Sequence, residues 1–193
     1  MSSPPPTAAP SAPDPVWITT LSAGRINYGA AVSVSGTATP GYVVDLYDAP
    51  APSGYRVIRS ATVASSGAYA FTGLRPGTDS RFQVKQRATT ELSNVVGVTV
   101  RDGITIAATR TAVRRLSFRG VVSPHRGGVL VTVYQIASSG RLGRLGSVRT
   151  ASSGAWTLTH TFPTNGRRTF LDQTNADSVN ASRQSARVAY SIS

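Results

Sequence analysis

Cysteine is absent from the 193 residues, lysine occurs once, at Lys85, and histidine only twice, at His125 and His160. The first absence excludes disulfide stapling, thiolate catalysis, iron–sulfur clusters and cysteine-ligated zinc. Acidic residues are scarce, eight against twenty basic ones, so paired-carboxylate chemistry has few candidates. No apolar run approaches the ~20 residues that a membrane helix needs, so no membrane insertion is expected. Met1-Ser2-Ser3-Pro4-Pro5-Pro6 has neither a basic n-region nor an apolar h-region, so no secretory signal is expected there. Two histories fit such a start: a protein kept where it is made, or a mature secreted fragment with an engineered Met1.

What remains is an apolar fraction of 40% with 15% charged residues, enough to build a core and too little charge for a disordered chain. The net charge of +12 is carried by 19 arginines. Arginine's planar fork suits phosphate and carboxylate, although the bias against lysine, beside abundant Ala, Gly and Val, follows as well from a G+C-rich coding sequence. Residues 1–15 hold Pro4, Pro5, Pro6, Pro10, Pro13 and Pro15 among Ser, Thr and Ala, a polyproline-prone arm with nothing to build a core.

From Val16 onward, short β-branched and aromatic runs alternate with Gly, Ser, Pro and Asp clusters about every ten residues, and no helical period lasts three turns. Val32-Ser33-Val34-Ser35-Gly36-Thr37-Ala38-Thr39-Pro40 returns as Leu116-Ser117-Phe118-Arg119-Gly120-Val121-Val122-Ser123-Pro124. Val44-Asp45-Leu46-Tyr47 returns as Val131-Thr132-Val133-Tyr134, and Ala64-Ser65-Ser66-Gly67-Ala68-Tyr69 as Ala151-Ser152-Ser153-Gly154-Ala155-Trp156. Gly97-Val98-Thr99-Val100 aligns with Arg187-Val188-Ala189-Tyr190. The fold expected is all-β: two tandem antiparallel sandwiches, 16–101 and 102–193, joined near Arg101-Asp102-Gly103, each of about seven strands.

Period-two alternation assigns Val32, Val34, Val44, Leu46, Tyr69, Phe71, Phe82, Val84, Val98 and Val100 to the first core. It assigns Leu116, Phe118, Val131, Val133, Trp156, Leu158, Leu171, Val188 and Tyr190 to the second, Phe170 competing with Leu171 as the counterpart of Phe82. Gly67 and Gly154 are expected at positive φ in hairpin turns.

The order V-x-V-x-G-x-x-x-P, V-x-L/V-Y, S-S-G-A-Y/W resembles the immunoglobulin-like or fibronectin type III-like repeats of secreted and virion proteins of actinobacteria and their phages. The likeness spans nearly all of residues 16 to 193. It implies two immunoglobulin-like sandwiches, here without the cysteine pair of antibody domains, and a role as spacer, adhesion module or capsid or tail decoration.

Neither histidine has a catalytic neighbourhood: His125 falls in a turn and His160 at a strand end. Asp45 and Asp48, flanking Tyr47 at a strand-to-loop junction, read as turn caps or a solvated edge; calcium there with Asp79 would lack the usual D-x-D-x-D-G loop. No phosphate loop or dinucleotide fingerprint is present. No cofactor, metal or catalytic residue is expected, and the chain reads as a non-enzyme. Arg56, Arg59, Arg81 and Arg114 read as outward residues that guard sheet edges. Residues 102–193 carry 12 arginines and three acids, net +9, against +4 for 16–101. Arg141, Arg144 and Arg149 along a glycine-rich hairpin, with Arg167 and Arg168 in a turn after Asn165-Gly166, form the candidate contact for an anionic surface.

The leading expectation is a structural protein, a phage virion decoration present in many copies, bound to capsid or tail subunits through its proline-rich arm. The alternative is a secreted, cell-wall-associated adhesion or glycan-binding module facing an anionic polymer. Nucleic acid ranks third, because single-strand binders interleave exposed aromatics and most aromatics here fall on expected inner faces.

Overall fold

The computed structural model describes residues 14–87 and 89–193. Pro4, Pro5, Pro6, Pro10 and Pro13 therefore lie outside the described residues, while Pro15 is exposed directly before the buried Val16. The first sandwich comprises β1 (Trp17–Leu21), β2 (Arg25–Asn27), β3 (Val32–Thr37), β4 (Val43–Pro50), β5 (Arg56–Thr62), β6 (Ala68–Leu74), β7 (Ser80–Gln86) and β8 (Val96–Arg101). The second comprises β9 (Gly103–Ile104), β10 (Ala107–Ala112), β11 (Arg115–Ser123), β12 (Leu130–Ile136), β13 (Leu142–Arg149), β14 (Ala155–Thr161), β15 (Gly166–Thr174) and β16 (Val188–Ile192). Among the described residues no helix interrupts them.

Sheets β1-β3-β6 and β2-β8-β7-β4-β5 enclose the first core; β10-β11-β14, with β9 also on β11, and β13-β12-β15-β16 enclose the second. This is a tandem of immunoglobulin-like sandwiches. Each has eight strands rather than seven, because its opening segment is split. In the first, the chain bends through Ser22-Ala23-Gly24, leaves β3 and joins the other sheet, where Thr99 N donates to Gly24 O at 2.9 Å. Having crossed without reversing, β2 lies parallel to β8, the one departure from antiparallel pairing among the named strands.

All ten residues assigned to the first core are buried. In the second, Leu116, Phe118, Val131, Val133 and Trp156 are buried, whereas Leu158, Val188 and Tyr190 are half-buried and pack against the cluster from its margin. The counterpart of Phe82 is Phe170, not Leu171. Phe170 stands edge-on to Phe118 with ring centroids 4.8 Å apart, and Leu171, although buried, pairs with Tyr134 and lies outside the core cluster. The alternation misleads here because Asp172, two residues beyond Phe170, occupies the inward place that Val84 holds in the first sandwich.

Gly67 and Gly154 do take φ near 80° and 75° in the two hairpins. Gly36 is required for a different reason: a Cβ there would stand 1.8 Å from Trp17 O and 2.5 Å from the Tyr69 hydroxyl, which donates to that same carbonyl at 2.6 Å. β1 can approach β3 this closely only past a hydrogen. Gly36→Ala is expected to destabilise the first sandwich by about 1–3 kcal/mol, the cost of overpacking, read as a lowered urea midpoint. An unchanged midpoint would refute the close approach.

Candidate interaction surface and the interdomain seam

The sequence-assigned polar residues do not assemble into a reaction centre. The His160 ring sits edge-on to Phe162, centroids 4.7 Å apart, and burial, helped by the nearby Arg168 charge, holds its pKa below the ordinary histidine value. Asp45 and Asp48 both lie within β4 rather than at its end, three residues apart and so on opposite faces. Asp45 accepts Arg87 Nη2 at 2.7 Å and Ser60 Oγ at 2.6 Å; the Arg87 bond, opposed by burial, keeps its carboxyl below the usual range. Asp48 faces inward at 8% exposure with an unpartnered Oδ1, and burial raises its pKa. Asp79 is spent on the backbone, accepting Val100 N at 2.6 Å. Among the described residues no group of three His, Asp or Glu is placed to hold a metal.

The five assigned arginines are distributed along one sheet. Arg141 and Arg167 project past the end at which Ile136 pairs with both Leu142 and Thr169, whereas Arg149 pairs with Leu130 at the opposite end. At ~3.3 Å per residue that puts Arg149 about 25 Å from Arg141. Arg167 and Arg168 belong to β15 itself, not to the preceding turn. Arg168 turns inward: its Nη2 donates to Thr164 Oγ1 at 2.7 Å and its guanidinium lies 5.2 Å from the Phe162 ring centroid. Arg144 donates to Ser147 Oγ at 3.0 Å and Arg149 to Gly128 O at 2.6 Å. Of the arginines read as edge guards, Arg56, Arg59 and Arg81 lie exposed on strands, while Arg114 occupies the β10–β11 turn with φ 56°.

The carboxylates explain the field of the second sandwich. Asp102 is fully buried, Asp177 is paired with Arg126, and Asp172 is fully buried. Two acids are thus withdrawn from solvent and the third is taken up by an ion pair, and among the described residues eleven of the twelve arginines are left without an ionic partner. Two that the sequence reading passed over, Arg115 and Arg119, stand exposed on the outer face of β11. Their cross-strand neighbours on β14 are Thr161 and Thr157, with Ser117 opposite Thr159 between them. The alternation of Arg115, Ser117, Arg119 and Val121 against inward Leu116 and Phe118 was the available signal. At one end of this face lies a depression of about 410 Å³ among Ile106, Ala107, Val121, Ala155 and Trp156, with Arg119 on its wall. Trp156 is 3% exposed and its Nε1 has no acceptor, whereas the corresponding Tyr69 hydroxyl of the first sandwich is satisfied by Trp17 O.

Between the sandwiches stands a single residue, Asp102, separating β8 from β9. Its Oδ1 accepts Arg126 Nη2 at 2.7 Å and Asn180 Nδ2 at 2.8 Å. Arg126 also bridges to Asp177, whose Oδ1 accepts the backbone N–H groups of Val179 and Asn180 at 2.8 and 2.9 Å. Burial would discharge both groups, but these bonds outweigh it: the Asp177 carboxyl is held below and the Arg126 guanidinium above its ordinary pKa. The loop so shaped, from the second sandwich, is tied to the first. Asp79 N donates to Val179 O and Ala181 N to Val100 O, both at 2.9 Å. Arg126 and Asn180, far apart in the sequence, therefore converge on one buried carboxylate.

No family model matches the sequence, and no curated protein matches it. Solved structures do. A tetra-tandem repeat from the extending region of a large adhesion protein is 15% identical, with a TM-score of 0.49 over 94% of this chain and 50% of its own. The chain thus spans half the length of that structure. The chicken interferon gamma receptor alpha chain is 10% identical, TM-score 0.47, over 96% of this chain and 99% of its own. A two-domain fibronectin type III segment of chicken tenascin is 11% identical, TM-score 0.46, over 93% and 98%. At scores below one half the likeness bears on neither activity nor partner, and the tandem sandwich rests on the strands and cores described above.

Proposed function

We propose that the chain is a non-enzymatic adhesion or interaction module that presents two stiffly coupled sandwiches at the outside or wall of a cell. The observation that carries this reading is the seam. A tether that only needs reach is served by an exposed, flexible linker. Here the linker is one buried residue, and a loop of the second sandwich is bonded to the first, an investment that makes sense where the relative direction of two surfaces matters. The one-signed field of the second sandwich gives it long-range attraction for anionic partners. The test is mass spectrometry of the secreted, cell-wall and cytosolic fractions and of purified virions from the producing culture. Enrichment in the wall or secreted fraction is expected; confinement to the cytosol would overturn the proposal. A virion decoration tethered by residues 1 to 15 is the second reading, favoured by the proline content of that arm. It requires stoichiometric presence in virions and loss of incorporation when residues 2 to 15 are deleted.

A further inference from the structure

We infer that the outer face of the β10-β11-β14 sheet is a binding site for an acidic polysaccharide, with one sugar ring seated in the depression beside Arg119 and its carboxylate on that guanidinium. This rests on the reading of the chain as an interaction module and names the partner of its second sandwich.

Four features of the face point the same way. The depression of about 410 Å³ is walled mainly by apolar groups, Ile106, Ala107, Val121 and Ala155, with Arg119 at its side. Its size falls in the ~300–1,000 Å³ range of small-ligand sites, and an apolar floor with a few placed polar groups is how such sites hold a ring and orient it. Next, Arg115 lies four residues from Arg119 on the same face, so a second guanidinium stands ~13 Å along the strand, a spacing that serves a repeating polymer rather than a lone ion. The hydroxyls of Thr157, Ser117, Thr159 and Thr161 are set around and between the two arginines, each able to donate and to accept, as sugar hydroxyls require. Finally, no free carboxylate of this sandwich competes for the arginines, because Asp102 and Asp172 are buried and Asp177 is paired.

The same features separate this polymer from other polyanions. Nucleic acid held as a single strand stacks its bases on exposed aromatics, and the aromatic side chain at this face, Trp156, is buried. A polyphosphate has the charges but no ring to fill the depression. The depression therefore distinguishes a ligand that diffuse positive charge does not.

The experiment is calorimetric titration of the full chain with polygalacturonate oligomers, against neutral dextran, polyphosphate and single-stranded DNA. Ala155→Phe fills the depression without altering net charge. Arg119→Ser removes the charge-assisted bond. The triple change Arg141→Ser, Arg144→Ser and Arg149→Ser removes three charges from the opposite sheet. Thermal unfolding checks that each variant is folded, and Thr157→Tyr, at an outward position over the same floor, replaces Ala155→Phe if that variant is not. Each single change is expected to weaken polygalacturonate binding by about tenfold or more, the triple change by much less. The inference is overturned if filling the depression has no effect, if the triple change costs as much as Arg119→Ser, if DNA or polyphosphate competes equally, or if polygalacturonate does not bind. None of these results touches the surface location, which the fractionation experiment decides separately.

Discussion

Asp172→Val is expected to stabilise the second sandwich increasingly as pH rises, by about 2–4 kcal/mol at pH 8. The wild-type carboxyl is fully buried at a position where the first sandwich has Val84, and neither of its oxygens has a hydrogen-bond partner. Burial pushes its pKa from 3.8 up to about 7. The sign follows from which state holds the proton. Below pH 3.8 both folded and unfolded chains are protonated at this site and it costs nothing through ionisation. Between 3.8 and about 7 the unfolded chain ionises while the folded one keeps its proton, so stability falls as pH rises; above about 7 the loss is complete. His160 works oppositely, since a lowered histidine pKa costs stability as pH falls through the ordinary histidine range. The informative quantity is therefore the difference between wild type and variant in urea unfolding across pH 4 to 8. Asp172→Asn is expected to flatten the slope in the same way while recovering less stability, because a buried amide still lacks partners. A difference that does not change with pH would show that the carboxyl is solvated.

Arg126→Ala is expected to cost about 3–5 kcal/mol, because it leaves the carboxylate of Asp102 buried and uncompensated. The size reflects that penalty as well as the lost attraction, so a second variant is needed to isolate the seam. Asn180→Ala keeps the Arg126 bridge and removes the 2.8 Å bond to Asp102 and the contact to Gly77 O; it is expected to cost about 1–2 kcal/mol. Trp17 and Trp156 fall one in each sandwich, so Trp17→Phe and Trp156→Phe backgrounds report the two halves separately by fluorescence. Unfolding midpoints that coincide in the wild type are expected to separate in Arg126→Ala. Midpoints that remain coincident, with no loss of stability, would remove the seam from the account of how the halves are joined.

The first core was legible because Val44 and Leu46 on β4, and Phe82 and Val84 on β7, alternate with polar neighbours, and the inward Asp48 comes only after that row. The second was less so for a physical reason. A carboxylate at the inward position 172 breaks the row that would have identified Phe170, and the residues nearest the sandwich margin, Val188 and Tyr190, are only partly covered. The arginine hairpin was visible as composition, but a hairpin spreads its residues along a strand, and the pairing of β12 with both neighbours sends Arg141 and Arg149 to opposite ends. Arg115 and Arg119 carried a period-two signal that was present and went unused, whereas the depression beside them depends on the break between β9 and β10, which no local pattern marks. Least legible was the seam. Asp102, Arg126, Asp177 and Asn180 are separated by up to 78 residues, and each alone reads as an ordinary turn residue.

Because β8 passes into β9 with only Asp102 between them, a pull applied to the two ends of the chain runs straight from the closing strand of one half into the opening strand of the next. Between the two halves no slack takes up the first extension. The bonded loop beside that path shares the load, so the tandem should resist bending and stretching as a short beam does, yielding by rupture of strand pairs rather than by uncoiling.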